Sequence, residues 1–204
     1  MTINYDKLSI FREISNIGSG NASTSLANML NETVDIGIPN SDIIEIIDFT
    51  KSYNLPDELA VGTVLQLSGD MQGFIMITMK VESAFKLLSK LSGKEIICDK
   101  GDYEYICREL NPIAEICNIL CGTYLTAISH MTNLTITPSI PYFTVDMIRA
   151  IMNLPISLYG LDFDSILCIE TEFFTESYEI EGKYYFIPDL KSCKKLLSNL
   201  GFSI

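Results

Sequence analysis

FREISNIGSGNASTSLANML, residues 11–30, has a partner further along the chain in NPIAEICNILCGTYLTAISHM, residues 111–131. Each carries Glu-x-x-Asn: Glu13 with Asn16, and Glu115 with Asn118, 102 residues apart in a chain of 204. Each Asn is followed by 22 residues and then a proline, Pro39 and Pro141. A shared pattern at one offset marks an internal repeat. Positions i and i+3 share a helix face, so each copy sets one carboxylate beside one carboxamide. Such a pair can grip a basic group and orient a water, but it contains no nucleophile.

Outward from the two copies, the order of elements repeats. Apolar spacing predicts an amphipathic helix over 6–31, with small residues (Gly18, Ser19, Gly20) that let a neighbouring backbone or a partner come close. VDIGIP (34–39) reads as a short strand ended by proline, and runs 61–68 and 73–79 as a hairpin. Residues 81–93 read as a helix stopped at Gly93. The second half offers a helix over about 103–131, then LTITPSIP, a short helix in VDMIRAIMN, a hairpin from SILCIETEFF and KYYFIPDL, and a last helix in KSCKKLLSNLG. Pro112 belongs at the start of a helix, so 103–110 should be a separate or kinked segment with Asn111 as the cap of the next. At offset 102 Asn31 meets Asn133; at offset 109 LLSKL (87–91) meets LLSNL (196–200). The longer loop TESYEIEGK would account for the difference of seven. The expected fold is α+β: a single domain over 1–204 built from two repeats, about 1–100 and 103–204, about a pseudo-twofold axis, with long helices packed on antiparallel strands. A monomer is expected.

The net charge of −12 disfavours nucleic acid and anionic membranes as main partners and favours a partner with a basic rim. No apolar run approaches the roughly 20 residues of a membrane span. The start, MTINYDKLSIF, lacks the apolar core of a signal peptide, and the six cysteines form no CxxC pair. A cytoplasmic chain with reduced thiols is the expectation. Cys117, Cys121 and His130 make an incomplete set for zinc, so no metal site of its own is expected.

At this point the residues resemble a family. The pattern Asp/Ser-x-x-x-Glu-x-x-Asn, then 22 residues and proline, is similar to the CheC/CheX/FliY chemotaxis phosphatases. Ser9, Glu13, Asn16 and Pro39 match it; so do Glu115, Asn118 and Pro141, with Asn111 where that family usually has Asp or Ser. NIGSGNASTSL, LSGDMQGFIMI and YYFIPDLKSCKKLLSNLG also look like CheC-type sequence. Two motifs in about 200 residues resemble CheC more than the single-motif CheX, and no residues are left over for the extra switch domain of a FliY-type protein. The resemblance implies a CheC-like fold and a substrate, the phosphorylated response regulator CheY, which holds its own divalent metal. It implies a second partner, the deamidase CheD. The short helix with Asp146, Met147 and Ile151 resembles the one by which CheC-type proteins bind CheD.

An aspartyl phosphate is already an activated acyl phosphate, so a phosphatase needs chiefly to hold a water in line with phosphorus. A carboxamide both donates and accepts, which suits Asn16 and Asn118 to that task. Glu13 and Glu115 would pair with a lysine of the regulator and set the register of docking. Two other readings share the residues: a non-catalytic adaptor for a regulator or CheD, and a flagellar-switch protein of FliY type.

Overall fold

The computed structural model describes residues 5–45, 57–99, 101–159 and 165–202. In chain order the elements are α1 (Tyr5–Leu30), β1 (Asp35–Ile36), β2 (Asn40–Glu45), β3 (Leu59–Gly69), β4 (Gly73–Lys80), α2 (Val81–Ser92), α3 (Tyr103–Leu110), α4 (Ile113–Thr132), β5 (Ile136–Pro138), β6 (Tyr142–Met147), α5 (Ile148–Tyr159), β7 (Ser165–Phe174), β8 (Glu181–Pro188) and α6 (Leu190–Asn199). The strands form one antiparallel sheet in the order β1-β7-β8-β4-β3-β5; β2 continues along β7 and β6 along β3.

The registers carry the repeat. Asn40 lies opposite Glu170, and Tyr142 opposite Val64; Asp35 lies opposite Phe174, and Thr137 opposite Ser68. Both comparisons shift the outer strand by 102 residues and the inner by 106. β4 maps onto β8 at a shift of 109, which turns the pair Gly73–Pro188 into Met79–Gly182. Met76 therefore faces its own equivalent, Tyr185, and the pseudo-twofold axis passes through that pair. The extra seven residues do not all enter at the hairpin turn. Four enter between β6 and β7, and three in the turn from β7 to β8.

Strand alternation sends side chains to two faces. Leu65, Ile75, Ile77, Ile169, Tyr184 and Phe186 point into the main core, under α1, α4, α2 and α6. Val64, Phe74, Met76, Cys168, Tyr185 and Ile187 point the other way, where Ile148, Ile151 and Met152 of α5 cover them. This second face needs glycine at Gly62, where a Cβ would lie 2.4 Å from Ile151 Cγ2.

Helix ends follow local chemistry. Asp102 caps α3 by accepting from the Tyr105 N–H at 2.9 Å, and Asp189 caps α6 by accepting from Ser192 N–H at 2.6 Å. α1 and α4 are followed by Asn31 and Asn133, both left-handed with φ 53°, a conformation asparagine tolerates. The break expected at Pro112 is present, with α3 and α4 inclined by 46°. The cap differs: Pro112 itself occupies the N-cap position of α4, Asn111 stays right-handed, and no side chain caps the helix. Proline brings the helical φ and has no N–H to satisfy, and the N–H groups of Ala114 and Glu115 donate to the carbonyls of Asn111 and Pro112 at 3.1 and 3.2 Å, which leaves little for a capping side chain to do. The helix expected over 145–152 also starts later. Pairing with β3 holds Val145, Asp146 and Met147 in β6, and α5 begins at Ile148.

The two long helices pack together over the sheet. At Gly18 of α1 the ring of Tyr124 from α4 lies where a side chain would be, with Cε1 2.9 Å from an added Cβ. Tyr124 is fully buried, and its hydroxyl shares hydrogen at 2.7 Å with Ser15 Oγ, which also lies 3.2 Å from Thr171 Oγ1. Burial holds the phenol well above its ordinary range, with the Ser15 contact opposing in part, so it stays neutral. Among the described residues no single helix is long and apolar enough to cross a membrane; the bent pair α3–α4 has the length, but α4 spends its apolar side chains on the core. Gly18→Ala should destabilise the protein by about 1–3 kcal/mol, because the ring has no free space to yield into. Denaturant unfolding checks this; wild-type stability in the variant would mean that the crossing is looser than described.

Candidate active site

On α1 the side chains of Phe11, Ile14, Ala22, Leu26 and Leu30 are buried. The opposite stripe is Glu13, Asn16, Gly20 and Thr24, at spacings of three or four residues, and it faces solvent. α4 repeats it with Glu115, Asn118, Gly122 and Thr126. Glu13, Asn16 and Glu115 are exposed and Asn118 is half-buried. Among the described residues none of the four side chains makes a hydrogen bond or ion pair. Ser19 and its neighbours use only backbone here: Ser19 Oγ donates to the Asn16 carbonyl at 3.2 Å, leaving the carboxamide free.

The match between the stripes extends to hydroxyls. Thr24 donates to the Gly20 carbonyl at 2.8 Å and Thr126 to the Gly122 carbonyl at 2.7 Å. Both threonines thus satisfy themselves on their own helix, and what remains available on each stripe is the carboxylate and the carboxamide. The glycines divide. Gly18 is filled from within by Tyr124, whereas a Cβ at Gly122 would meet nothing within 4 Å and one at Gly20 only Ile36 Cδ1 at 3.9 Å. The small residues Gly18 and Gly20 were expected to admit a neighbour or a partner; Gly18 admits the neighbour, and Gly20, like Gly122, leaves room outside.

The two stripes differ in setting. Glu115 lies in the first turn of α4, at the positive end of the helix dipole, which favours a negative charge. Glu13 lies well inside α1. Its neighbour Arg12 reaches away, donating through Nε to Ser41 Oγ at 2.9 Å.

These stripes are convex helix faces. Glu13, Asn16, Glu115 and Asn118 line none of the better-formed clefts among the described residues. One of them, about 560 Å³, lies on the other side of the sheet, where Lys183 is held between Glu170 at 2.7 Å and Glu172 at 3.1 Å. A reacting group would therefore have to arrive in a concavity of the partner. That favours a macromolecular substrate over a small molecule.

Other candidates fall apart in three dimensions. Cys117 and Cys121 are buried, and burial raises the Cys117 thiol to about 12, while His130 is exposed. Among the described residues no three of His, Cys, Asp or Glu are grouped to hold a metal ion. Asp146 is exposed on β6 with its carboxylate accepting from the Met147 N–H at 2.7 Å, and Met147 is half-buried. Ile151 and Met152 do not join them. They are 1% and 0% exposed because α5 turns them onto the sheet, so the apolar contact expected from this segment is used inside the fold.

Against known proteins, the model of the CheC-like family matches residues 7–41 and 109–145, which contain both Glu–Asn pairs and both prolines. CheY-P phosphatase CheC of Bacillus subtilis (strain 168) is 28% identical over 209 residues, spanning 99% of this chain and 97% of that protein. Thermotoga maritima FliY superposes with a TM-score of 0.75 at 16% identity, covering 98% of each chain. A chain of the CheX–CheY–BeF3–Mg2+ complex from Borrelia burgdorferi superposes with a TM-score of 0.54 at 20% identity, covering 85% of this chain and 97% of that one.

Proposed function

We propose that the chain, which matches the CheC-like family over residues 7–41 and 109–145, hydrolyses the aspartyl phosphate of a CheY-type response regulator. One observation carries the reading: two equivalent helix faces each offer a Glu and an Asn whose side chains have no work inside the fold. The relative named as a CheY-P phosphatase matches along almost the whole chain and supports the same substrate class.

In this reading the helix face lies across the regulator's phosphorylation site. Asn16 or Asn118 holds a water through its carboxamide, accepting from one O–H and donating toward the oxygen. The water oxygen attacks phosphorus as the bond to the aspartyl oxygen breaks. The carboxylate leaves with the bonding pair, and the water's proton passes to phosphate and solvent. The divalent metal sits on the regulator and offsets the charge of the phosphoryl oxygens. Glu13 or Glu115 pairs with a lysine of the regulator and fixes the register, so that the Asn one turn on meets the phosphorus.

Asn16→Ala with Asn118→Ala should remove at least about 10²-fold of the activity, by analogy with loss of one oriented donor. Stability should stay within about 0.5 kcal/mol, since neither side chain is bonded internally. The decay of phosphorylated regulator, followed beside thermal unfolding, checks both; undiminished decay in the double variant would sink the mechanism. A wild type that binds the phosphorylated regulator but never speeds its decay would favour the adaptor reading.

Glu13→Lys with Glu115→Lys should act on docking. Repulsion of the regulator's lysine should raise KM by about tenfold or more while kcat changes little. Steady-state kinetics at two salt concentrations separate this from a chemical role, and a fall in kcat at constant KM would count against docking.

A second partner of CheD type belongs to the same reading, with Asp146 as its contact at the exposed end of β6. Asp146→Lys should weaken capture of a CheD-type deamidase and leave phosphatase activity unchanged. Equal capture by wild type and variant in a pull-down would remove Asp146 from the interface.

A further inference from the structure

Two isoleucines stand almost wholly in solvent: Ile38 is 94% exposed and Ile140 is 89% exposed. A single exposed aliphatic residue on a protein surface is ordinary. These two are equivalent. They are 102 residues apart, each directly before the proline of its motif, in the segments that join β1 to β2 and β5 to β6.

The first segment runs beside the catalytic face of α1. At one end Ile36 Cδ1 approaches the bare Cα of Gly20, 3.9 Å from where its Cβ would be. At the other, Ser41 accepts from Arg12 Nε at 2.9 Å and donates to the Leu8 carbonyl at 3.4 Å. Residues 36–41 thus pass along α1 from Gly20 toward Leu8, and the turn bearing Glu13 and Asn16 lies between those two contacts. Ile140 holds the equivalent place in the second half: the strand registers on either side of it are the same, and β5 packs on α4 as β1 packs on α1, although no atom comes as near to Gly122 as Ile36 does to Gly20.

Neither exposure comes from a loose loop. Gly37 N–H donates to the Glu172 carbonyl at 2.9 Å, and Ser139 N–H donates to the Gln66 carbonyl at 2.8 Å while Ser139 Oγ accepts from the Gln66 N–H at 3.0 Å. Pro39, next in the chain to Ile38, is buried. The backbone is fastened on both sides of each isoleucine and the side chain is held outward, so presenting it costs a partner little ordering entropy.

We propose that Ile38 and Ile140 are the apolar anchors that seat the response regulator on each Glu–Asn face. This rests on the phosphatase reading above and adds a docking determinant to it. Glu and Asn give a contact its register and chemistry but bury little apolar surface. A stable encounter also needs a desolvated apolar centre, and a rigidly presented isoleucine at the flank of each face supplies one. The matching feature on the regulator would be an apolar depression beside its phosphorylation site.

The test is Ile38→Ser with Ile140→Ser in the full chain. Decay of the phosphorylated regulator should show KM raised about tenfold with kcat little changed. Affinity for the beryllofluoride-activated regulator, measured by titration calorimetry, should fall by the same factor. Thermal stability should not drop, because neither side chain packs within the fold. Ile38→Val with Ile140→Val should restore most of the affinity. An active wild type whose KM is unaffected by the serine pair overturns the anchor role and leaves the phosphatase reading standing. A wild type that self-associates in sedimentation, and becomes monomeric with the serine pair, also overturns it, with a second copy of the chain as the occupant. A wild type that neither hydrolyses nor binds phosphorylated regulators removes both claims together.

Discussion

Pairing between β4 and β8 joins what would otherwise be two incomplete halves. Each half contributes a hairpin, β3–β4 or β7–β8, and the two hairpins meet back to back along β4 and β8 with Met76 opposite Tyr185. The edges are then closed by exchange: β1 and β2 of the first half pair with β7, while β5 and β6 of the second pair with β3. Every strand of one half thus borrows backbone partners from the other half or stands beside one that does. An unpaired N–H or carbonyl in these buried strands would carry a desolvation penalty of about 1–3 kcal/mol, so the exchange holds the halves in one register.

With the sheet held in this way, α1 and α4 have one place to go. They lie side by side over the main core, and their outward stripes present two equivalent Glu–Asn pairs on one rigid body. The buried sides of the same helices have departed from symmetry in a compensated manner. Tyr124 is large where its equivalent Ala22 is small, and Gly18 is bare where its equivalent Leu120 is bulky. A core at close packing accepts such changes only when volume added on one helix is removed from the other. The outer faces are free of this constraint, yet the carboxylate, carboxamide, glycine and threonine recur there at identical offsets. Internal packing does not explain that recurrence; the proposed contact with a regulator would.

The geometry of the stripes also limits the chemistry. A helix face without a cleft can neither enclose a small substrate nor exclude water from it. It can insert a side chain into a site that another protein has already built, which is enough where the bond to be broken is already activated. The acidic surface is consistent with a partner whose contact rim is basic, and it speeds encounter with such a partner at low salt.

Much of this was set by sequence alone. The repeat, the two Glu–Asn pairs, the break at Pro112 and the hairpins depend on short-range rules of spacing, propensity and turn chemistry, which act within a few residues. What depended on tertiary contact lay outside those rules. Whether Gly18 or Gly20 faces a partner is decided by the Tyr124 ring, which is more than 100 residues away in the chain. Asp146 and Met147 became strand rather than helix because β3 offered backbone partners that outweighed helical spacing. Ile151 went inward because Gly62 left a hollow to fill. The placement of the extra seven residues, split between two connections, appeared only in the strand registers. Ile38 and Ile140 read in sequence as ordinary ends of short strands. Only the fold, by pinning their backbones against the sheet and leaving both side chains uncovered, made them a matched pair beside the two faces.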